Sequence, residues 1–426
     1  MAIIKGMNGL RYNSEMAGDL NTLVCPPYDI ISDGEREQYL ENNGYNIIRL
    51  ELPKGENKYK DAGKALNEWF EKGVLKQDDK ESIYVYEMEF TANGNKNAVK
   101  GFVSLVKLEE FSKGIVLPHE ETLSKAKADR FNLMSETFCN FSQIYSLYMD
   151  EDGKAYSAID ACSQGKPDME ISDNDGVIHR MWCVSDEKVL NSLAKTFEDK
   201  KLYIADGHHR YETALNFHKH LCDTGISDES SQSGYIMMML VNMENDGLVV
   251  FPTHRLVRDL NNFNADDVSG KFGEYFDVSD IKGRKEVEDS LNKLYEQGKK
   301  AFAMYSGNDS FKLLVLKNES AVKEVMPDMS DSYCGLDVSV LHTLVLEKIF
   351  GIDKENMANQ INLTYTKTVD EAISSVDSGK ANCSFILNPT KVSEIRDVAL
   401  AREKMPQKST YFYPKTITGL VMNKFR

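Results

Sequence analysis

The stretch from Leu202 to Cys222 constrains the fold of this chain more than any other part of the sequence. Leu202–Ala205 is a short apolar run typical of a buried strand, and Asp206-Gly207 follow it as a turn. Side chains that suit an apolar helix face then recur at Tyr211, Ala214, Leu215, His218, Leu221 and Cys222. The pattern predicts a strand, a sharp turn at Gly207 and a helix.

The polar residues of this turn predict an anion site. Asp206 is a candidate N-cap, and His208, His209 and Arg210 fall in the first turn of the helix. Unpaired backbone N–H groups and the positive end of the helix dipole lie at such a position, so a phosphate group fits it. The alternative interpretation is that the histidines cap the helix and hydrogen-bond inside the fold, and spacing alone leaves both open.

The histidine spacing argues against zinc. Neighbouring helical residues point about 100° apart, so His208 and His209 do not easily converge on one ion. His218 and His220 diverge further, and the sequence contains no H-x-x-x-H or H-E-x-x-H motif. A Mg²⁺ ion on Asp206, shared with a bound phosphate, remains open.

Composition limits the class of protein. The chain has 426 residues with 51 basic and 67 acidic side chains, and the net charge of −16 disfavours nucleic acid as a partner. We find no signal peptide and no apolar stretch approaching the roughly 20 residues of a membrane helix. The seven scattered cysteines, without a C-x-x-C pair, are typical of reduced thiols, so we expect a cytoplasmic protein.

Strand-like and helical patterns mix along the whole length, which predicts a mixed α/β (α+β) class. Ile47–Leu52 is among the predicted strands, and Ser32 and Glu35 have the spacing of a capping box before a helix. We predict three parts: residues 1–257 carrying the phosphate motif, a small α+β lobe over 258–330, and a helical region with a basic tail over 331–426 that packs back on the core.

Further candidates lie outside the motif. His119 and Glu120 stand in a loop before a predicted helix, where a general base is often found. Lys408 and Lys415 make the tail locally basic, which suits either a loop that closes over phosphates or a solvated face. We find no Walker, dinucleotide-binding or nucleophile-elbow motif.

The segment ADGHHRYETAL resembles the signature of an uncharacterised bacterial and archaeal family of the ParB/sulfiredoxin superfamily. Further segments resemble that family in the same order: CPPYDII (25–31), LPHEETLSKAKADR (117–130), FPTHRLV (251–257), LDVSVLHTLVLEKIFGI (336–352) and MPQKSTYFYPKTITGLV (405–421). The resemblance implies a ParB/sulfiredoxin-like core with additional α+β lobes. His208 stands where sulfiredoxin has its reactive cysteine, so sulfiredoxin activity is not implied.

The motif is also similar to that of ADP-dependent free serine kinases. This similarity implies that Asp206 is a catalytic or metal-facing acid and that His208, His209 and Arg210 bind phosphate. Those kinases have a catalytic glutamate upstream of the motif, and its counterpart in this sequence is open.

Together these observations predict a phosphotransferase that uses ATP or ADP with Mg²⁺ on a small hydroxylated metabolite, with free serine as the first candidate. Asp206, Glu120 or His119 would handle the hydroxyl proton, and Gly207, Lys408 and Lys415 would help to hold the nucleotide. The alternatives are a nucleotide-bound switch of the ParB type and a regulatory protein without catalysis. We expect Arg210→Ala to spare the fold and Asp206→Asn to spare stability, because Asn caps as well as Asp.

Overall fold

A computed structural model describes residues 1–122 and 124–426. Leu123, inside the family-like segment 117–130, lies outside the described residues. The described chain divides into two compact units, called unit 1 and unit 2 below. Unit 1 comprises residues 1–118, 122–249 and 414–426, and unit 2 comprises residues 119–121 and 250–413. The predicted division into residues 1–257, 258–330 and 331–426 stays a prediction.

Unit 1 is built on a mixed sheet. The strands of unit 1, inside and outside this sheet, are β1 Ile4–Lys5, β2 Leu10–Tyr12, β3 Leu75–Gln77, β4 Ile83–Ala92, β5 Asn95–Lys107, β6 Val116–Leu117, β7 Cys139–Asn140, β8 Ile144–Tyr148, β9 Met169–Ser172, β10 Ile178–Val184, β11 Leu202–Asp206, β12 Tyr235–Asn242 and, near the end of the chain, β21 Asn423–Lys424. The main sheet has the order β6-β11-β8-β12-β5-β4-β10-β9, with β1 paired to β5. β11 runs parallel to β6 and antiparallel to β8.

The helices of unit 1 bury their apolar faces in two separate cores. They are α1 Ser14–Ala17, α2 Asp33–Asn42, α3 Ile48–Glu51, α4 Lys58–Glu71, α5 Ser124–Thr137, α6 Lys154–Ala161, α7 Glu187–Phe197 and α8 His208–Asp223. One core joins the sheet to α8 through Tyr211, Ala214, Phe217 and Leu221. A second core forms around Trp69 of α4 and the buried residues of α3. The predicted capping box of α2 is present.

Unit 2 has its own antiparallel sheet. Its strands are β13 Val249–Phe251, whose first residue is assigned to unit 1, β14 His254–Val257, β15 Phe276–Lys282, β16 Ala301–Tyr305, β17 Ser310–Leu316, β18 Leu363–Thr366, β19 Cys383–Leu387 and β20 Tyr411–Tyr413. Six of them form a sheet in the order β15-β17-β16-β19-β14-β18. The helices are α9 Ala265–Phe272, α10 Arg284–Glu296, α11 Ala321–Val325, α12 Asp331–Cys334, α13 Asp337–Val340, a π-helix Leu341–Glu347, α14 Lys354–Ala358, α15 Val369–Asp377 and α16 Val392–Leu400.

The mixed α/β class predicted from the sequence is confirmed. The strand predicted at Ile47–Leu52 is wrong, because this run forms the short helix α3. Asn46 starts the turn by accepting a hydrogen bond from the Ile48 N–H at 2.9 Å. A short apolar run suits a buried helix as well as a strand, and here Ile47, Ile48 and Leu50 are all buried.

Candidate functional site

The turn between β11 and α8 has the predicted strand–turn–helix form. β11 is buried over its first four residues and ends at Asp206. Gly207 occupies the N-cap position of α8 with φ +96°, in the left-handed region that favours glycine. A Cβ atom there would also lie 3.0 Å from the Arg210 guanidinium. The expectation that Asp206 is the N-cap is therefore wrong, and its carboxylate is available for other contacts.

Asp206 pairs with two cations. Its Oδ2 accepts a hydrogen bond from Nη2 of Arg210 at 2.8 Å, and its Oδ1 accepts one from Nζ of Lys415. Burial alone would raise the pKa of Asp206, but the charges of Lys415 and Arg210 outweigh burial and hold this pKa well below its usual range. Asp206 is therefore a carboxylate at neutral pH, and its stabilising charge is paired on both oxygens.

The Arg210 side chain is held by hydrogen bonds to Asp206 and to the segment before β8. Its Nη1 donates to the Gln143 carbonyl oxygen at 2.5 Å and to Ser142 Oγ at 3.1 Å, in addition to the Asp206 contact. Only 11% of the side chain is exposed. Arg210 thus ties the turn to the start of β8, so we now expect Arg210→Ala to lower the stability of the fold as well as any anion affinity.

The charged network continues inward from Ser142. Ser142 Oγ donates to Oε1 of Glu51 at 2.9 Å, and Nη1 of Arg130 donates to the Glu51 carbonyl oxygen at 2.7 Å. The Arg130 guanidinium lies over the ring of Tyr28, 4.0 Å from its centroid. Glu51, Arg130, Ser142 and Arg210 line a cavity of about 30 Å³. Tyr28 of segment 25–31 and Arg130 of segment 117–130 therefore belong to the same network as Arg210 inside unit 1.

Sequence reasoning missed Glu51 as part of this network. The residue lies inside the run Ile47–Leu52 that the sequence predicts as a strand, and it is 3% exposed. A carboxylate between the apolar residues Leu50 and Leu52 is itself a signal, because buried carboxylates require partners.

Lys415 reaches Asp206 because the segment after Tyr413 is pinned to unit 1. The Ile417 N–H donates to Tyr86 Oη at 3.1 Å, and the Ile417 carbonyl accepts from Nε2 of Gln143 at 3.2 Å. Thr418 exchanges backbone hydrogen bonds with Cys25. Because the Lys415 side chain is only 13% exposed, the solvated-face interpretation does not describe this residue.

The four histidines of the motif have different surroundings. His208 is buried and His209 is half-buried in the first turn of α8. The charge of His208, when present, lowers the pKa of Asp206. Farther along, His218 Nδ1 lies 2.9 Å from Ser233 Oγ, and the ring of His220 packs edge-on against Phe131. The first pair belongs to the turn, and the second pair serves the packing of α8.

His119, Glu120 and Lys408 lie together in unit 2. His119 Nε2 is 2.9 Å from Oγ1 of Thr410, and Glu120 Oε1 accepts a hydrogen bond from the Lys408 N–H at 3.0 Å. The structure thus gathers the predicted residues into two sets. Asp206, Gly207, His208, His209, Arg210 and Lys415 form one in unit 1, and His119, Glu120 and Lys408 form the other in unit 2.

A resident metal ion does not fit the turn as it stands. Residues 1–122 and 124–426 contain no cluster of three or more His, Cys, Asp or Glu side chains placed to hold a metal ion. Both oxygens of Asp206 accept hydrogen bonds from cations, so a Mg²⁺ ion here would depend on phosphate oxygens for most of its ligands.

Among residues 1–122 and 124–426, no helix is both long and apolar enough to cross a membrane.

Fold and site define a mixed α/β protein with a charged strand–turn–helix junction in unit 1. The chain belongs to the family described as "Protein of unknown function (DUF1015)", whose model matches residues 4–339. A comparison with curated proteins finds no match.

Among solved structures, the chain is similar to a conserved hypothetical protein from Pyrococcus furiosus, at 13% identity over 75% of this chain and 95% of that chain, with a TM-score of 0.35. It is similar to a free serine kinase in complex with AMP, at 13% identity over 75% and 92% with a TM-score of 0.36. SbnI with a C-terminal truncation from Staphylococcus aureus matches at 9% identity over 76% and 87%, with a TM-score of 0.38. Scores this low carry no weight for the function of the chain.

Proposed function

We propose that the start of α8 binds the phosphates of ATP or ADP and that the protein transfers a phosphoryl group to a small hydroxylated metabolite, with free serine as the first candidate. The observation that carries the proposal is the charge balance at this turn. Lys415 and Arg210 bring two positive charges against the single carboxylate of Asp206. Two cationic side chains therefore flank this carboxylate beside a helix N-terminus, in a chain whose net charge is −16.

The backbone adds to this charge. α8 is 16 residues long, and its N-cap is a glycine that has no side chain with which to cap it. Such a terminus binds phosphate with its first-turn N–H groups, and His208 and His209 stand in that turn. In this proposal, Arg210 positions the turn through Ser142 and Gln143, and His209 and Lys415 contact the phosphate.

Phosphoryl transfer also requires a group that accepts the hydroxyl proton. Glu120 and His119 remain our candidates for this base, with Asp206 as the third. Asp206 is the weakest of the three as a base, because two hydrogen-bonded cations stabilise its deprotonated form. Mg²⁺ would arrive with the nucleotide and be held largely by its phosphates.

Binding is tested with a matched pair of histidine variants on the same helix. Calorimetry with ADP, ATP, AMP and CTP, with and without Mg²⁺, should detect binding that His209→Ala weakens at least about ten-fold. His220→Ala, in the last turn of α8, should leave the affinity unchanged. Equal affinities for both variants would remove the turn as the phosphate site.

Catalysis is tested with the candidate base. With a phosphate donor, Mg²⁺ and serine, mass spectrometry should detect phosphoserine, and Glu120→Gln should reduce turnover by about 10²–10⁴-fold without loss of nucleotide affinity. The exposed Glu110→Gln is the control. Nucleotide binding without transfer to any metabolite of a broad hydroxylated panel would favour a nucleotide-bound switch instead.

A further inference from the structure

The sheet of unit 2 ends in an open edge at β15. This strand pairs with β17 along one side and lies at the end of the strand order. The ladder is regular over the whole strand, from Phe276 opposite Leu316 to Lys282 opposite Ser310, and β15 contains no proline. Four consecutive residues of the strand, 277–280, are exposed. A regular, exposed edge strand is a template for pairing with another strand.

The register shows which backbone groups of β15 face away from the sheet. The Gly283 N–H donates to the Asp309 carbonyl oxygen, in line with the ladder, so the odd-numbered residues of β15 face β17. Neighbouring residues of an antiparallel strand alternate in this respect, so the backbone groups of Val278, Asp280 and Lys282 face outward. The N–H and C=O groups of these three residues have no hydrogen-bond partner among the residues that the structure describes.

Charged side chains on an edge strand often prevent pairing, but those that alternate with the ladder here leave it open. Asp280 is already paired, because its Oδ1 lies 2.5 Å from Nζ of Lys312 on β17. Lys282 is exposed and has no ion-pair partner within residues 1–122 and 124–426. Its charge is therefore available to a carboxylate on an incoming strand.

The strand is complementary to itself about Val278. This side chain is 39% exposed, and the exposed Glu274 and Lys282 lie at equal distances along the chain before and after it. When two copies pair antiparallel with Val278 opposite Val278, each Lys282 lies opposite the Glu274 of the other copy. Opposite charges on facing residues of an antiparallel pair are stabilising. A two-fold axis through Val278 supplies this contact twice, as in an isologous dimer.

Neighbouring registers lack this complementarity. Centring the pair on Ser279 places Lys282 opposite Phe276, whose side chain is buried. Centring it on Asp280 places two carboxylates opposite each other, which is destabilising. The Val278 register is favoured over both, and in it the two Val278 residues exchange backbone hydrogen bonds.

We infer that β15 is an interaction surface for a second copy of this chain. The β15 strands of the two copies pair antiparallel about Val278, and the two sheets of unit 2 join into one. The outward backbone groups of Val278 and Asp280 then have partners, and Lys282 of each copy pairs with Glu274 of the other. Every residue of this surface belongs to unit 2, so the inference does not depend on the nucleotide site of unit 1.

Sedimentation velocity on the full chain over a range of micromolar concentrations tests the inference. The protein should form a concentration-dependent dimer that weakens as salt screens the exposed ion pairs. Lys282→Glu and Glu274→Lys each place like charges at both symmetry-related contacts, so each should lower the association constant at least about ten-fold. The double variant exchanges the two charges and should restore association.

A backbone variant and a matched control complete the test. Val278→Pro removes an outward N–H and no hydrogen bond to β17, so it should abolish the dimer, and proline is tolerated on edge strands. Lys285→Glu makes the same charge change at an exposed position of α10 and should leave association unchanged. The melting temperature of each variant verifies that it is folded.

A chain that is monomeric at every concentration would overturn the inference and leave the β15 edge to a strand of another protein. A dimer that Val278→Pro and Lys282→Glu both leave intact would place the interface elsewhere and overturn it too. If both single charge variants weaken the dimer and the double variant does not restore it, the pairing of Lys282 with Glu274 about Val278 is refuted.

Discussion

The buried charged side chains of unit 1 have charged or hydrogen-bonding partners, whereas two buried charged side chains of unit 2 lack a charged partner. In unit 1, Asp206 is bonded to Arg210 and Lys415, and Glu51 is bonded to Ser142 and lies 3.7 Å from Arg130. In unit 2, the buried Arg255 bonds to neutral groups, and Oδ1 of Asp337 has no hydrogen-bond partner among the described residues. Unit 1 holds its charges in a fixed arrangement, while unit 2 keeps polar groups that a proton or a ligand would satisfy.

The two buried aspartates show what this difference means for pH. The pKa of Asp206 is held below its usual range, so its stabilisation is present above about pH 4 and is lost as the pH falls through its folded-state pKa. Burial raises the pKa of Asp337 from 3.8 to about 7, so stability is lost as the pH rises across that interval. These two aspartates therefore weaken the fold as the pH moves in opposite directions.

The largest effect is expected from breaking the pairing in unit 1. Asp206→Asn leaves Arg210 and Lys415 without their carboxylate, and we expect the free energy of unfolding at pH 7 to fall by about 4 kcal/mol. This reverses the expectation from capping, which predicted unchanged stability. Urea denaturation followed by circular dichroism measures the change.

Two further variants sharpen that result. Adding Lys415→Met to Asp206→Asn removes one of the unpaired cations and should recover part of the loss. Asp152→Asn, which breaks the exposed pair with Lys154, should change stability by less than about 0.5 kcal/mol. A fall for Asp206→Asn no larger than that for Asp152→Asn would mean that the network of unit 1 is not stabilising.

A smaller effect of opposite sign is expected in unit 2. Asp337→Asn removes a carboxyl group whose ionisation burial opposes, so at pH 8 the variant should be more stable than the parent by about 2 kcal/mol. At pH 4 the two should agree, since the folded parent is then protonated at this position. Thermal melts of both proteins from pH 4 to 8 measure the gap, and a gap independent of pH would refute a raised pKa.

The smallest effect concerns the support of Lys415. Tyr86→Phe removes the acceptor of the Ile417 N–H and the partner of His179 Nδ1 at 2.8 Å. The free energy of unfolding should therefore fall by about 1 kcal/mol. Because Ile417 is close to Lys415 in the chain, nucleotide affinity should also fall, but by less than when Lys415 itself is replaced. Tyr39→Phe, at a partly exposed hydroxyl, is the control, and equal melting temperatures for both variants would contradict the role of Tyr86.

The sequence predicted the local structure of the site better than its contacts. The strand, the turn at Gly207 and the start of α8 follow from short-range pattern, and the structure confirms them. The pairing of Asp206 with Lys415 joins residues 209 positions apart, and no local pattern encodes it. The N-cap expected at Asp206 was wrong, because the capping position falls on Gly207, and the contact of Asp206 with Lys415 could not be read from a local rule.

Unit 2 was harder to predict from the sequence. Strands β18 and β19 lie in the region predicted to be helical, because short strands between helices give weak periodic signals. The hydrogen bond from Arg255 to His342 joins β14 to the π-helix across 87 positions, and no local pattern encodes it. Such long-range contacts appear only with the tertiary fold.

Unit 1 is discontinuous, and this sets an order of events during synthesis. The ribosome makes Asp206 and Arg210 early, whereas Lys415 follows only after the whole of residues 250–413 has been added. Until then Asp206 has one of its two cations, and closing so long a loop is among the slower steps of folding. The nascent chain therefore cannot assemble the complete Asp206 turn, and the phosphate site that we propose is complete only after unit 2 has been translated.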